Sequence, residues 1–201
     1  MLSGYYDITK RPKHEYKGIV LTAQIEWELF KLINIYDSLH ARRVLEIGTQ
    51  RGGTLIHWLE GADPGTVVCN IDTLQSTTEQ EKADLPAKWA TWAPPGVVYH
   101  CLIGRSDDHS IFDQLSKYVD GWLDFLFIDG LHTYDGAKHD FEKYGSLVRA
   151  GGVIALHDLV TPDFSPHIQV GKLWREIQGA GYVTRELRAG GEYGGIGVVY
   201  V

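Results

Sequence analysis

The chain has 201 residues and carries 26 acidic against 19 basic side chains, a formal charge of −7. That balance, with no basic stripe along the sequence, excludes a surface built to track a phosphate backbone, and no apolar run approaches the ~18 residues of a membrane span. The length suits one domain, able to bury roughly 70% of its unfolded surface without staples. Neither nucleic acid nor membrane is therefore expected as a partner, and a small or neutral substrate fits better. Cys69 and Cys101 fall in expected strands and outside any CxxC, which reads as free thiols in a reducing compartment. With an N-terminal stretch that lacks the apolar core of a signal peptide, the expectation is a cytoplasmic protein.

Residues 1–18 are polar and mixed and read as an arm, and 19–201 read as a single domain. Helical spacing begins near Thr22, a candidate N-cap. Ile25, Leu29, Leu32, Ile33 and Tyr36 then recur at three or four residues and give one apolar face. Apolar strands follow at 43–47 (RVLEI), 67–71 (VVCNI), 97–103 (VVYHCLI), 123–128 (LDFLFI) and 153–156 (VIAL). Helical stretches separate them at 53–60, 77–90, 107–118 and 134–148. Short, nearly continuous apolar strands alternating with helices predict a parallel sheet covered on both faces. A helix at 170–179 comes next. Strands at 182–188 and 196–201, joined by the Gly-rich 189–195, predict an antiparallel hairpin closing the sheet.

The first strand runs into Glu46-Ile47-Gly48-Thr49-Gln50-Arg51-Gly52-Gly53 and opens a helix. Gly48 permits a sharp turn, Gly52 permits backbone to approach a ligand, and the carboxyl ends of such strands are where doubly wound sheets bind ligands. The spacing is E-x-G-x-x-x-G. Thr49 and Gln50 stand where a dinucleotide fold needs its second glycine, and Glu46 would repel a pyrophosphate, so a cofactor without phosphates is favoured. An ordinary tight turn is the plain alternative. Asp72 ends the second strand at a spacing suited to ribose hydroxyls. Ser106 and Asp107, after the third strand, stand where adenine would be contacted, although both are also favoured N-caps. The fourth strand runs into Asp129-Gly130-Leu131-His132 and the fifth into His157-Asp158. In a parallel sheet these ends open beside the first turn, and two carboxylates at adjacent strand ends make a site for a divalent ion.

The blocks VLEIGTQRGGT, FLFIDGLHTYDGAKHDFEKYGSLVRAGG and VIALHD resemble the class I S-adenosylmethionine (SAM)-dependent methyltransferases. Within that class they resemble the cephalosporin hydroxylase/rhamnosyl O-methyltransferase group and the metal-dependent sugar O-methyltransferases of antibiotic tailoring. The likeness is strongest over 44–158, weaker over 170–178 and absent from 1–18. It implies a Rossmann-like three-layer α/β sandwich with a mostly parallel seven-stranded sheet of order 3-2-1-4-5-7-6. It implies that Glu46, Gly48 and Gly52, with Thr49 in the same turn, surround the methionine part of SAM and that Asp72 holds the ribose. It also implies a divalent metal, Mg or Mn, held by Asp129 and the acids ending the fifth strand. Relatives carry Glu-Asp or Asp-Asp/Asn at that end. This chain has His157-Asp158, and imidazole suits Mn, Fe or Zn better than Mg, so His157 is either a ligand or stands behind the ligands. His132 lies where metal-dependent relatives place a Lys or His base.

The activity expected is transfer of a methyl group from SAM to a hydroxyl of a small molecule, a sugar or natural-product intermediate, with Asp129 and His132 as the catalytic pair. One rival is an NAD(P)-dependent dehydrogenase, against which the missing second glycine counts. Another is a non-catalytic or hydroxylase-associated SAM-binding protein, which would have no need of Asp129, His132 and Asp158 together. With no long insertion between strands, acceptor contacts are expected from the arm, from the loop after Asp158, or from another subunit of a homo-oligomer. His14, His40, His57, His100, His109 and His139 read as histidines without a chemical role, and Trp89 and Trp92 as packing residues. His167, in the loop 161–169, is retained as a substrate contact.

Overall fold

The computed structural model describes residues 24–161 and 165–201, and the backbone alone of 15–16 and 19–20. Strands β1 (Glu15–Tyr16) and β2 (Ile19–Val20) pair antiparallel. The rest of the arm and Thr22, the expected N-cap, lie outside the described residues. Helix α1 (Glu26–Leu39) buries Leu29, Leu32, Ile33 and Tyr36, the face its spacing predicts, and ends at His40 in the left-handed region.

Strand and helix then alternate: β3 (Arg43–Ile47), α2 (Leu55–Glu60), β4 (Val67–Asp72), α3 (Glu79–Ala90), β5 (Val98–Ile103), α4 (His109–Tyr118), β6 (Leu123–Ile128), α5 (Tyr134–Gly145), β7 (Val148–His157), α6 (Val170–Gly179), β8 (Val183–Leu187) and β9 (Ile196–Tyr200). One seven-stranded sheet has the order β5-β4-β3-β6-β7-β9-β8, which is 3-2-1-4-5-7-6 when its strands alone are numbered, as expected. β3 to β7 are parallel, and β9 runs antiparallel to both β7 and β8.

The layers follow from the period-two geometry of the central strand. In β6 every residue is buried. Phe125 and Phe127 pack with α1, α2 and α3 on one face, and Leu126 and Ile128 with α4, α5 and α6 on the other. α3 and α4 start two residues inside their expected spans and α5 starts where expected, and at each start a side chain takes an orphan amide. Thr78 and Glu81 form a capping box at α3, Asp108 accepts from the Ser110 amide (2.8 Å) at α4, and Thr133 accepts from the Gly136 amide (3.3 Å) at α5. β7 departs most from expectation. It begins at Val148, where a continuation of α5 was expected, because Val148 pairs with Leu123. A register shift then carries the chain past Gly151 and Gly152 before Val153 pairs with Phe125. No helix among the described residues is long and apolar enough to cross a membrane.

Candidate active site

A cavity of about 750 Å³ opens at the carboxyl ends of β3 to β7. The turn after β3 forms its floor. The Gly48 amide donates to the Ile71 carbonyl (2.9 Å), and the Asp129 amide donates to the Ile47 carbonyl (2.8 Å), so the turn is stitched to β4 and β6 on either side. Gly48 has φ +87°, and a Cβ there would lie 2.0 Å from the Asp129 carbonyl oxygen. No other residue fits. Gly52, expected to clear space for a ligand, instead clears it for the core: its Cβ would lie 2.5 Å from the Trp89 indole nitrogen, and Gly52 is outside the cavity wall. Trp89 and Trp92 are core residues accordingly.

Glu46, expected against the methionine part of SAM, is fully buried beneath the turn and does not reach the wall. It accepts from the Trp58 indole N–H, and burial pushes its carboxyl up to about 8. Asp72 is on the wall and braces the turn. Its carboxylate accepts from the backbone amides of Thr49 (2.6 Å), Gln50 (2.7 Å) and Leu74 (2.6 Å). A carboxylate offers about four lone-pair sites, so one remains for a hydroxyl in the cavity. Thr49 also lines the wall, its hydroxyl accepting from the Asn70 amide group (3.0 Å). Ser106 and Asp107 line the same half. Two hydrogen bonds from Arg105 (2.8 and 2.7 Å) hold the Asp107 carboxyl below the usual carboxylate range.

At the other half four titratable side chains converge. His132 Nε2 lies 3.2 Å from Asp129 Oδ1, and its Nδ1 lies 3.5 Å from Asp158 Oδ2. His157 Nδ1 lies 3.2 Å from Asp129 Oδ1 and 3.4 Å from Asp158 Oδ1. The other Asp129 oxygen accepts from the Gln24 amide. Burial opposes charge on Asp129, yet His157 and His132 outweigh it and keep the carboxyl below its ordinary value. Burial alone would push His157 down, but the Asp129 charge and hydrogen bond, aided by Asp158, carry it up to about 9. The Asp129 hydrogen bond likewise raises His132, while burial raises Asp158. Asp158 holds φ +61°, an unusual backbone that aspartate tolerates better than most residues and that marks functional positions.

Ligand atoms of Asp129, His132 and Asp158 lie within 4.8 Å of one another and could hold a metal ion. His157 is outside that group. It is the more deeply buried histidine, at 6% against 32% side-chain exposure, and it backs Asp129 from beneath. The grouping takes in His132, expected as a base, and not His157, which the sequence leaves as either a ligand or a residue behind the ligands. Two carboxylates and an imidazole within that reach fit a divalent ion of the Mn type better than one demanding oxygen alone.

Several wall residues carried no sequence signal: Gln24, 105 positions from the acid it bonds, together with Arg51, Ile168 and Tyr193. His139 lines the wall although it reads as unremarkable in sequence, whereas His167 is exposed and off the wall. His100 stacks on Tyr118. Tyr134 and Lys138 stand at the Tyr-x-x-x-Lys spacing that a dehydrogenase could use, but both are bonded to Glu176, Lys138 at 2.5 Å, and neither lines the cavity.

A family model described as a methyltransferase domain matches residues 45–159. An uncharacterized protein of Acanthamoeba polyphaga mimivirus is 30% identical over 140 residues, which is 69% of this chain; the chain spans 62% of that relative's length. Two solved structures share the fold. The O-methyltransferase from Bacillus cereus in complex with SAH has a TM-score of 0.64 at 23% identity, covering 90% of this chain and 84% of that one. The O-methyltransferase TomG from Streptomyces achromogenes, involved in tomaymycin synthesis and in complex with SAM, has a TM-score of 0.64 at 21% identity, covering 90% and 82%. The matched segment runs from β3 to just past Asp158 and contains every wall residue except Gln24, Ile168 and Tyr193, so this chain belongs to the methyltransferase domain family.

Proposed function

We propose that the protein transfers a methyl group from SAM to a hydroxyl of a small molecule, assisted by a divalent metal. The observation that carries this reading is the meeting, in one cavity, of the Asp72-braced turn with the Asp129, His132 and Asp158 cluster. The turn suits a nucleoside without phosphates, because the Asp72 carboxylate braces it and no glycine stands at position 50 to admit a pyrophosphate. When bound, SAM supplies an electrophilic methyl, and a divalent ion lowers the pKa of a hydroxyl it coordinates. Asp129 and Asp158 hold the ion. Asp72 takes a ribose hydroxyl, with Ser106 and Asp107 on the adenine side. His132, the more exposed of the two histidines, takes the acceptor proton. His157 and Gln24 fix the Asp129 carboxylate in place. The grouping of His132 with the two acids supports a second version, in which His132 is the third ligand and a solvent or substrate oxygen carries the proton away. We further propose a cytoplasmic enzyme, a reading that the free thiols Cys69 and Cys101 support.

Calorimetry with S-adenosylhomocysteine (SAH) and NAD, followed by labelled-SAM transfer to a panel of sugars and catechols with and without EDTA, tests this reading. SAH should bind and NAD should bind far more weakly. Asp129→Ala or Asp158→Ala should abolish EDTA-sensitive turnover and leave SAH affinity nearly unchanged. As a base, His132→Ala should lower kcat roughly 10²–10⁴-fold at unaltered metal affinity; as a ligand, it should lose the metal. Tight NAD binding with no response to SAH, or full activity in EDTA together with an active His132→Ala variant, would overturn it.

A further inference from the structure

Tyr193 sits in the run Gly-Gly-Glu-Tyr-Gly-Gly between β8 and β9, lining the cavity while 55% of its surface stays exposed. Gly190, Gly191, Gly194 and Gly195 all have positive φ, at 90°, 118°, 79° and 88°. A Cβ on Gly190 or Gly191 would meet nothing within 4 Å. Packing therefore does not demand glycine at those two positions. The left-handed backbone does, and it leaves the tip of the segment with soft torsions.

The two feet of the segment are fixed. The buried Glu28 carboxylate of α1 accepts from the Ala189 amide and from the Gly195 amide, both at 2.8 Å. The amides of Leu159 and Val160 donate to the carbonyls of Gly195 (3.2 Å) and Gly194 (3.0 Å). The second foot therefore adjoins the residues that directly follow Asp158. One buried side chain pins both ends of a glycine-jointed strap, and the strap carries a single aromatic ring to the acid end of the cavity.

The charge of the wall limits what that ring can meet. Among the described residues the wall holds two arginines and no lysine. Arg51 and Arg105 both belong to the half built by the turns after β3 and β5, where Arg51 pairs with Glu81 (3.1 Å) and Arg105 with Asp107 (2.7 Å). The acid half offers Gln24, Leu131 and Ile168 with Tyr193, and its two histidines, His132 and His157, are already paired with Asp129 and Asp158. A carboxylate or phosphate on the acceptor finds no arginine or lysine there, whereas an uncharged ring can lay one face on the phenol and turn its hydroxyls toward the acids.

Resting on the methyl-transfer reading, we propose that Tyr193 is the acceptor-recognising residue of this site, borne on a flap anchored by Glu28, and that the acceptor is an uncharged ring compound bearing hydroxyls. The test uses the full chain saturated with SAH and three probes: catechol, methyl rhamnopyranoside and, as the anionic control, protocatechuate. Wild type, Tyr193→Phe and Tyr193→Ala are compared by calorimetry and ligand-observed NMR. At least one neutral probe should bind wild type more tightly than protocatechuate does. Tyr193→Ala should weaken it roughly tenfold while Tyr193→Phe retains it, and SAH affinity should be equal in all three proteins, which also controls for folding. Failure of wild type to bind SAH would sink the methyl-transfer reading itself. With SAH bound, tighter binding of protocatechuate, no binding of either neutral probe, or equal probe affinity of Tyr193→Ala and wild type would overturn the proposal.

Discussion

Glu46 shows how far a side chain in a recognisable motif can stand from its expected partner. Its ordinary carboxyl value is 4.5, and burial in the fold raises this to about 8. Between those values the folded protein holds a proton that the unfolded chain has released, so folding stability declines as pH rises through that window and levels off above it. Glu46→Gln mimics the protonated acid and has no such titration. The variant should gain thermal stability relative to wild type as pH is raised from 4.5 to about 8; melting temperatures that run parallel across that range would count against the buried proton. The same variant should bind SAH nearly as wild type does, and a collapse of that affinity would return Glu46 to the cofactor. Position within the motif was legible in the sequence, but what packs behind it was not. Gly48 reads as a sharp turn and is one. Gly52 reads as a place for a ligand, and the residue that needs the space is Trp89, 37 positions away, whose approach no local spacing reveals.

At the scale of elements, α1 does more than cover the sheet. Its apolar face is visible at three- and four-residue spacing, yet the same face buries Glu28, which a pattern of hydrophobic positions cannot anticipate. Truncation at Glu28→Ala leaves the amides of Ala189 and Gly195 without their acceptor. Hydrogen bonds to a charged group contribute about 1.5–3 kcal/mol each, so the variant should lose about 3–6 kcal/mol of stability. Hydrogen exchange at residues 189 and 195 should accelerate far more than in β3 or β6; uniform acceleration across the chain would show that Glu28 serves the whole core and not the loop. The strand-to-strand alternation was legible because five short apolar runs admit few arrangements, and the hairpin was legible from its glycines. The start of β7 was not, since Val148 reads as the end of the helical stretch 134–148 and only its pairing with Leu123 decides otherwise. The strap carrying Tyr193 read as a connecting turn, because its second role depends on contacts with α1 more than 160 positions away.

Across the whole molecule, an excess of acidic over basic groups gives a formal charge of −7, which opposes binding to a polyanion. The protein should pass through a DNA or RNA gel-shift assay at physiological salt without retention, and a shift with a steep salt dependence would contradict that. The sheet order places the turn after β3 and the Ser106–Asp107 segment before α4, and Asp129, His132, His157 and Asp158 after it, with Gln24 reaching the acids from before α1. The two halves meet along a seam where Gly48 lies flush against the Asp129 carbonyl and the Asp129 amide donates to the Ile47 carbonyl. On the proposed methyl-transfer reading, the gap between donor and acceptor is gauged at this seam by backbone. Loops, helices and the glycine strap can diverge to admit new acceptors, while that gauge stays constant: a scaffold of this kind changes what it methylates far more readily than how closely donor and acceptor are brought together.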